Sequence, residues 1–395
     1  GIKVLAGGIN AVGVVTATSF SGSGANLTGI TAGLTTDAYR NTSGGINAGD
    51  SFTSGSALDN TLIGYDAGTA ITTGDSNTAV GSYALKTTNT GIENTAIGMY
   101  ALNSNSTGTK NTASGFSALF GNTTASGNVA VGHQALYTNS TGAWNIGVGH
   151  KALFANTTGQ HNIGIGEEAL ASNTTGDYNT SVGGDALIFN TTGDNNTAVG
   201  KNALVSNTTA DNNSALGYGA LQNNTTGADN TANGNKALYS NTTGANNTAS
   251  GNNALYTNTT GNQNTAYGKE ALKLNTTGSY NVASGYHALY SNTTGTQNTA
   301  SGTYALYTNT TASYNTASGY SALYYNTTGT NNVASGYQAL YENTTGTENT
   351  ANGMYALRSN TTGSYNTASG FKALFTNTTG YENTATGYYA LYSNT

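Results

Sequence analysis

The chain contains no cysteine and no proline, and only 7% of its 395 residues are charged, against about a quarter in an ordinary globular domain. Without cysteine there is no disulfide scaffold and no cysteine-ligated zinc or iron–sulfur site. Eleven Lys and Arg against 17 Asp and Glu leave a net charge of −6. That argues against nucleic acid as a partner, because gripping a phosphate backbone takes clustered cations. No run reaches the ~18 apolar residues of a membrane span. No basic segment followed by an apolar stretch marks a signal peptide. Low charge with abundant Asn, Thr, Gly and Ser is also a signature of disorder, but the regularity of the pattern argues against it. Glycine (55 residues) and tyrosine (27 of the aromatics, beside 8 Phe and one Trp) are what the chain has in excess.

From Asn60 to Thr395 the sequence repeats every 17 residues and the register never slips, giving twenty units with the last one incomplete. Numbering each unit from its opening Asn, the consensus reads N-T-A-S-G-Y-x-A-L-Y-x-N-T-T-G-x-x. Position 1 is Asn throughout (Asn60, Asn77, Asn94 and onward), position 5 is Gly (Gly64, Gly81, Gly98) and position 8 is Ala (Ala67, Ala84, Ala101). Position 9 is Leu (Leu85, Leu102) in every unit but the first, which has Gly68, and position 12 is Asn in every unit but the first two.

A fixed period without insertions means that each unit stacks on its neighbour in the same way. The unit is too short for a pair of helices, which needs about 33 residues. Short segments of Thr, Val, Ile and Tyr between Gly- and Asn-rich turn signals are strands and turns. The expected fold is therefore all-β, a parallel β-solenoid or β-roll of 17-residue coils. Each coil would hold two short strands and two turns. At about 4.8 Å per coil, twenty coils make a rod of about 95 Å. Gly at position 5 implies a positive φ or a close backbone approach. The Asn-Thr-Thr-Gly run at positions 12 to 15 reads as a turn, with Gly or Asn as its left-handed residue. Stacked Asn at positions 1 and 12 predicts amide ladders. Ala at positions 3 and 8 and Leu at position 9 are the predicted interior. Charges fall almost only at positions 6, 7, 10, 11, 16 and 17, which should face solvent.

So little apolar side chain per coil does not offset the entropy of ordering 17 residues. Side-by-side association is expected, as a parallel homotrimer burying positions 2, 4 and 10. Position 4 is aliphatic in nine of the first ten units (Ile63, Val80, Ile97, Val131, Val148, Ile165, Val182, Val199, Leu216) and later mostly Ser or Asn. Tyr at position 10 belongs to the later units, for example Tyr239, Tyr256, Tyr290 and Tyr307. This pattern suggests an aliphatic seam in the first half and a Tyr and Asn seam in the second. Residues 1–59 lack the period and read as an N-terminal β-rich shaft or attachment segment, with Thr35 to Ser56 a polar bridge into the repeats. A solenoid stopping in mid-coil would expose strand edges; continuation into a tip, docking on another subunit or head-to-tail stacking would each cover them.

Groups for chemistry are sparse, and no catalytic residue, cofactor or metal is expected. His133 and His150 share position 6 of adjacent units and should stack, a pairing that suits an exposed turn better than a metal site. His161 and His287 are isolated. Glu167 and Glu168 follow His150 and Lys151 in the same columns, as an ion-pair ladder would. The carboxylates are scattered at turns, not opposed across a cleft as glycoside hydrolysis needs. Asn156, Asn173, Asn190 and Asn207 each open an Asn-Thr-Thr triplet, which matches the glycosylation acceptor pattern; turn chemistry is the preferred reading. Thr columns at positions 13 and 14 suggest an ice-binding face, but Tyr and charge interrupt it. Tyr320, Tyr324, Tyr325, Tyr388, Tyr389 and Tyr392 are candidate carbohydrate-stacking rings.

Two stretches carry a resemblance. GVVTATSFSGSGANLTGI (Gly13 to Ile30) resembles segments of tail-fibre and other virion fibre proteins of tailed phages, above all those of marine cyanobacteria. The repeat N-T-A-V-G…A-L…N-T-T-G is similar to repeats of phage fibres that often end in a self-cleaving chaperone domain. It resembles more loosely the A-I-G-x-x-A-x-A-x-G coils of trimeric autotransporter adhesin heads, which are shorter, left-handed parallel β-rolls. The resemblance implies a trimeric fibre on a virion or cell surface, with itself, other fibre components and host-surface glycans as partners. The expected function is a structural fibre shaft; the alternative is a surface adhesin or extracellular filament gripping carbohydrate through its Tyr-rich flank.

Overall fold

The computed structural model describes residues 34–53 and 55–394. The segment expected to form a shaft or attachment piece, residues 1–33 with the fibre-like stretch Gly13 to Ile30, lies outside the described residues. The described chain winds into one parallel β-solenoid with no helix. Its strands are β1 (Thr35–Thr36), β2 (Thr42–Gly44) and then one three-residue strand per repeat, from β3 (Thr61–Ile63) to β22 (Thr384–Thr386). From β2 onward each strand pairs in parallel with the next, like position on like position: Thr197 lies beside Ser214, Ala198 beside Ala215 and Val199 beside Leu216.

Each coil thus has one strand where two were expected. The remaining sides are also tied to their neighbours, but through turn backbone. In the coil opened by Asn196, the N–H groups of Leu204 and Ser206 donate forward to Ala220 and Gln222, both at 3.0 Å. That of Gly200 donates back to Val182 at 2.8 Å, and that of Asn202 to Gly184 at 3.1 Å. The coil is therefore held to both neighbours around its circumference.

Left-handed residues explain why the second strand is missing. Positive φ recurs at positions 5, 7, 9 and 17, and every position-9 Leu from Leu85 to Leu391 has φ between 47° and 55°. In a strand, consecutive side chains alternate sides. Left-handed residues on either side of the position-8 Ala instead let that Ala and the Leu after it both turn inward. The conformation costs a non-glycine residue about 1–2 kcal/mol, and complete burial of the Leu side chain contributes a similar or larger amount. The Asn-Thr-Thr-Gly run, expected to hold the left-handed residue, does not: neither its Asn at position 12 nor its Gly at position 15 has positive φ. The glycine at position 15 is small for another reason, the close approach of the next coil's backbone. A Cβ on Gly176 would meet the Gly193 carbonyl oxygen at 2.5 Å.

The interior consists of Ala at positions 3 and 8 and Leu at position 9, fully buried in coil after coil, with the Asn columns beside them. The first unit departs from the consensus and compensates. Gly68 takes the place of the position-9 Leu, and Leu62 at position 3 with Ile71 at position 12 fill the space; both are fully buried. A Cβ on Gly68 would meet Leu62 at 2.7 Å and Ile71 at 2.9 Å, so total core volume is kept.

The solenoid also begins one coil earlier than the period suggested. Asn41 occupies position 1: its Oδ1 accepts from the backbone N–H and Nδ2 of Asn60, both at 3.0 Å, and β2 pairs in register with β3. Gly45 has φ 119° and stands at position 5. The offset from Asn41 to Asn60 is 19 residues, and the two extra residues hid this coil from a 17-residue search. The polar bridge is thus a solenoid coil. β1 folds back antiparallel on β2, with Thr35 beside Ser43, and covers the sheet edge that would otherwise be open to further pairing.

The two glycine columns should respond differently to substitution. Gly200→Ala combines φ 130° with a Cβ 2.6 Å from the Gly217 oxygen, and should cost at least about 2 kcal/mol in chemical denaturation. Gly176→Ala should cost about 1 kcal/mol or less, because Ala125, Ala210 and Ala312 already occupy that column in other coils. Equal losses at both sites would contradict this assignment.

Candidate functional site

The described rod has a shallow hollow lined by Asp185, Asn202, Gln222, Ile188, Phe189 and Val205 and another on the strand face at Val199, Leu216 and Asn233; its other working parts are columns. The two inner ones are amide ladders. Asn77 Nδ2 donates to Asn60 Oδ1 at 3.1 Å and Asn94 Nδ2 to Asn77 Oδ1 at 3.1 Å. The backbone N–H of each position-1 Asn donates to the preceding Oδ1 all the way to Asn383, while Nδ2 of Asn128, Asn145, Asn162 and Asn213 donates to the position-15 carbonyl instead. The coil at Asn179 shows the full set. Asn162 Oδ1 accepts from the Asn179 backbone N–H at 2.9 Å and from its Nδ2 at 3.2 Å. In the second ladder, Asn190 Nδ2 donates to Asn173 Oδ1 at 3.0 Å. Asn179 Nδ2 and Asn190 Nδ2 also converge on one acceptor, the Gly193 carbonyl, at 2.8 and 3.0 Å. The position-15 carbonyl thus joins both ladders within each coil.

This geometry favours the turn-and-ladder reading of the Asn-Thr-Thr triplets over glycosylation. Asn156, Asn173, Asn190 and Asn207 are fully buried. A glycan would be attached at Nδ2, yet Asn156 Nδ2 already donates to Asn139 Oδ1 at 2.7 Å and to the Gly159 carbonyl at 2.9 Å. The triplet's first threonine is engaged too, Thr157 Oγ1 donating to the Thr174 carbonyl at 2.9 Å. The folded rod therefore has no room for a sugar in this column.

Two long outer faces remain. The first is the outward side of the strands, positions 2 and 4, which carries no charge in any repeat. It is most apolar where three successive coils are aliphatic at both positions: Val129 and Val131, Ile146 and Val148, Ile163 and Ile165. Ile97, Val131, Ile165 and Leu216 stand exposed on it, and Trp144 flanks it at position 17.

The second face is formed by positions 6, 7, 10 and 11 and carries almost all the ring contacts. Tyr290, Tyr307, Tyr324 and Tyr341 stack in one column at 5.3, 5.1 and 5.3 Å between centroids. Arg358 continues the column, 5.1 Å from the Tyr341 ring and 5.9 Å from Phe375, and Phe375 stacks on Tyr392 at 5.1 Å. Burial, followed by a hydrogen bond with Tyr325, pushes the Tyr341 phenol up to about 12. Position 10 therefore packs with 6, 7 and 11, and not with positions 2 and 4 in one seam.

Of the six candidate carbohydrate contacts, Tyr324 has a stacked neighbour on each side, Tyr307 and Tyr341. Tyr320 stacks on Tyr337 at 5.3 Å, Tyr388 on Phe371 at 5.3 Å and Tyr392 on Phe375. Tyr325 meets Tyr324 edge-on at 4.7 Å, and Tyr389 contacts Tyr388 and Tyr392 at tilted angles. A sugar stacks on an open ring face: Tyr324 is covered on both faces and Tyr320, Tyr388 and Tyr392 on one, while Tyr320, Tyr325, Tyr388 and Tyr389 keep exposed surface, Tyr388 the most at 75%. Tyr280, Tyr314 and Tyr365, at position 17, are more than half exposed and are not among the stacked rings. Sequence reasoning missed them because their column also holds Gln, Asn and Glu.

His133 and His150 do stack, at 5.4 Å. The ion-pair ladder expected of His150, Lys151, Glu167 and Glu168 is absent from the ion pairs among the described residues. Position 7 is also less open than its charges suggested: Asp66 is only 8% exposed, accepting from Asn47 Nδ2 at 2.8 Å and pairing with Lys86 at 3.2 Å. Nor is His287 isolated. Its Nε2 lies 2.8 Å from Glu270 Oε2, and Lys273 Nζ lies 3.1 Å from Glu270 Oε1. Tyr286 covers the imidazole at 3.9 Å, and Nδ1 is buried without a partner. Burial pushes the His287 pKa down, outweighing the pull of Glu270. Burial alone would raise Glu270, but its contacts with Lys273 and His287 hold it below the usual carboxylate range.

Compared with known proteins, the chain matches no family model and no curated protein.

The ladder and the histidine can each be tested. Asn190→Ala leaves Asn207 Nδ2 without its Oδ1 acceptor and removes one donor from the Gly193 carbonyl. It should cost about 3 kcal/mol in a denaturant titration, and a loss below about 0.5 kcal/mol would contradict a working ladder. For His287, protonation would place an N–H on the buried Nδ1 with no acceptor. The folded chain then binds fewer protons than the unfolded one, so this histidine's contribution to stability is full above 6.5 and lost as pH falls through its lower folded value. A nitrogen-15 NMR titration should place His287 below 6.5; a midpoint above it would overturn the reading.

Proposed function

We propose that the chain is the shaft of a fibre on a virion or cell surface, a rigid spacer carrying recognition parts away from a larger body. The observation that carries this reading is the unbroken like-on-like register of the coils. An enzyme or a compact receptor needs loops that gather different residues at one point, and this rod repeats the same residues along a line. Hydrogen bonds between coils run parallel to the long axis, so pulling on the ends loads many of them together.

The reading includes a parallel homotrimer assembled through positions 2 and 4. The strand face measures about 100 Å by about 10 Å over the solenoid, roughly 1,000 Å² per chain, above the ~800 Å² per partner of a stable interface. Aliphatic residues concentrated around Val131, Ile146 and Ile163 would fix register, since only parallel chains bring these patches to one level. A second reading, a surface adhesin or filament that grips carbohydrate, is supported by the exposed rings of Tyr280, Tyr314 and Tyr365 and calls for no change in the fold.

Light scattering of the intact chain should give three times the chain mass, and Ile146→Asp with Ile163→Asp should lower it to one. A wild-type chain that stays at one chain mass at micromolar concentration would contradict the trimer. Binding on a glycan array that is lost in the Tyr280→Ala, Tyr314→Ala, Tyr365→Ala variant would favour the adhesin over the spacer.

A further inference from the structure

The tyrosine columns offer something that neither stiffness nor recognition uses. Translation by one coil places each ring over a copy of itself. Tyr239 and Tyr256 stack at 5.1 Å with their planes 6° apart. Tyr290, Tyr307, Tyr324 and Tyr341 continue the pattern, with planes 15° to 28° apart, and Tyr320 and Tyr337 form a parallel pair at position 6 with planes 12° apart. In a near-pure translation every ring atom lies about one centroid distance from its twin, so ortho carbon faces ortho carbon. The amide ladders beneath hold this arrangement in place, while the ring edges reach solvent.

We infer that these stacked pairs are sites of oxidative tyrosine–tyrosine coupling, in which a one-electron oxidant fed by hydrogen peroxide joins residues one coil apart by a covalent bond. Each phenol gives up one electron and one proton, forming two neighbouring tyrosyl radicals. The radicals join through a carbon–carbon bond between ortho positions, and each ring regains aromaticity as its ortho hydrogen moves to oxygen. Hydrogen peroxide accepts the two electrons and two protons and leaves as two waters, so one link removes two hydrogens from the chain. Burial raises the pKa of the Tyr307 and Tyr324 phenols; they start protonated and lose the proton with the electron.

Each link would staple one coil to the next. Along the column from Tyr290 to Tyr341, three successive inter-coil steps become covalent, and the coils there cannot separate without breaking a carbon–carbon bond. This purpose rests on the shaft reading; the chemistry depends only on the stacks.

The test treats the full chain with a haem peroxidase and hydrogen peroxide, with a tyrosine-containing peptide in the same reaction to report that the oxidant is active. Digestion and mass spectrometry should find crosslinked peptides joining Tyr239 to Tyr256, Tyr290 to Tyr307 and Tyr320 to Tyr337, each lighter by two hydrogens. Tyr256→Phe keeps a ring in the stack but removes the phenol, and should abolish the link to Tyr239 while leaving the Tyr320–Tyr337 link. Unlinked columns beside an oxidised peptide would overturn the proposal, as would links confined to the unstacked Tyr280, Tyr314 and Tyr365. The chain mass by light scattering, measured separately, tells failure of the shaft reading from failure of the coupling.

Discussion

The buried asparagine amide controls the rest of the architecture. A primary amide left without partners inside a protein is costly, and each coil from Asn94 to Asn366 buries two. The cost is met only if the next coil presents an identical amide at the same height. A slip of one residue would leave donors and acceptors unpaired along the whole column. Register is therefore set by polar groups, and the modest core of Ala and Leu fills the space between them. Because the position-15 carbonyl receives an amide from each ladder, the two columns cannot shift independently. The shared carbonyl also explains why that position stays small: Gly or Ala lets the neighbouring backbone and two amide groups come close.

The same repetition shapes the surface. Any side chain placed in a column is copied about 4.8 Å further on, so aromatic residues become stacks, cations come to lie over rings and aliphatic residues become a stripe. Lys372 illustrates this, lying 5.3 to 5.8 Å from the ring centroids of Tyr355, Phe371, Phe375 and Tyr389. Such a surface suits extended contacts, whether with sister chains or with a polymer. Changing one residue in a coil alters a single rung, which lets outer columns vary between the first and second halves while the inner columns stay constant.

Much of this was legible in the sequence. Invariant Asn at position 1 and near-invariant Asn at position 12 announced the ladders, and the Ala-Leu pair at positions 8 and 9 announced the interior. The glycine column at position 5, read as a site of positive φ or of close backbone approach, shows both. What escaped had local causes. Leu at φ near 50° is not a choice that propensity suggests, so a second strand was expected in each coil where the backbone turns instead. Two extra residues between Asn41 and Asn60 concealed a coil from a search at fixed period. The rings at position 10 were read both as part of a seam with positions 2 and 4 and, in the set Tyr320, Tyr324, Tyr325, Tyr388, Tyr389 and Tyr392, as clustered with positions 6, 7 and 11; only the clustering survives, because the backbone turns at the position-5 glycine between the strand and the rings.

The central claim is that 17-residue coils lie flat on one another along a straight axis. Fibre diffraction from aligned rods of the intact chain tests it most directly. A sharp meridional reflection near 4.8 Å, the spacing of neighbouring strands, directed along the rod axis, is the predicted result. A pattern dominated by the 5.4 Å helical pitch, or a diffuse ring without orientation, would contradict it.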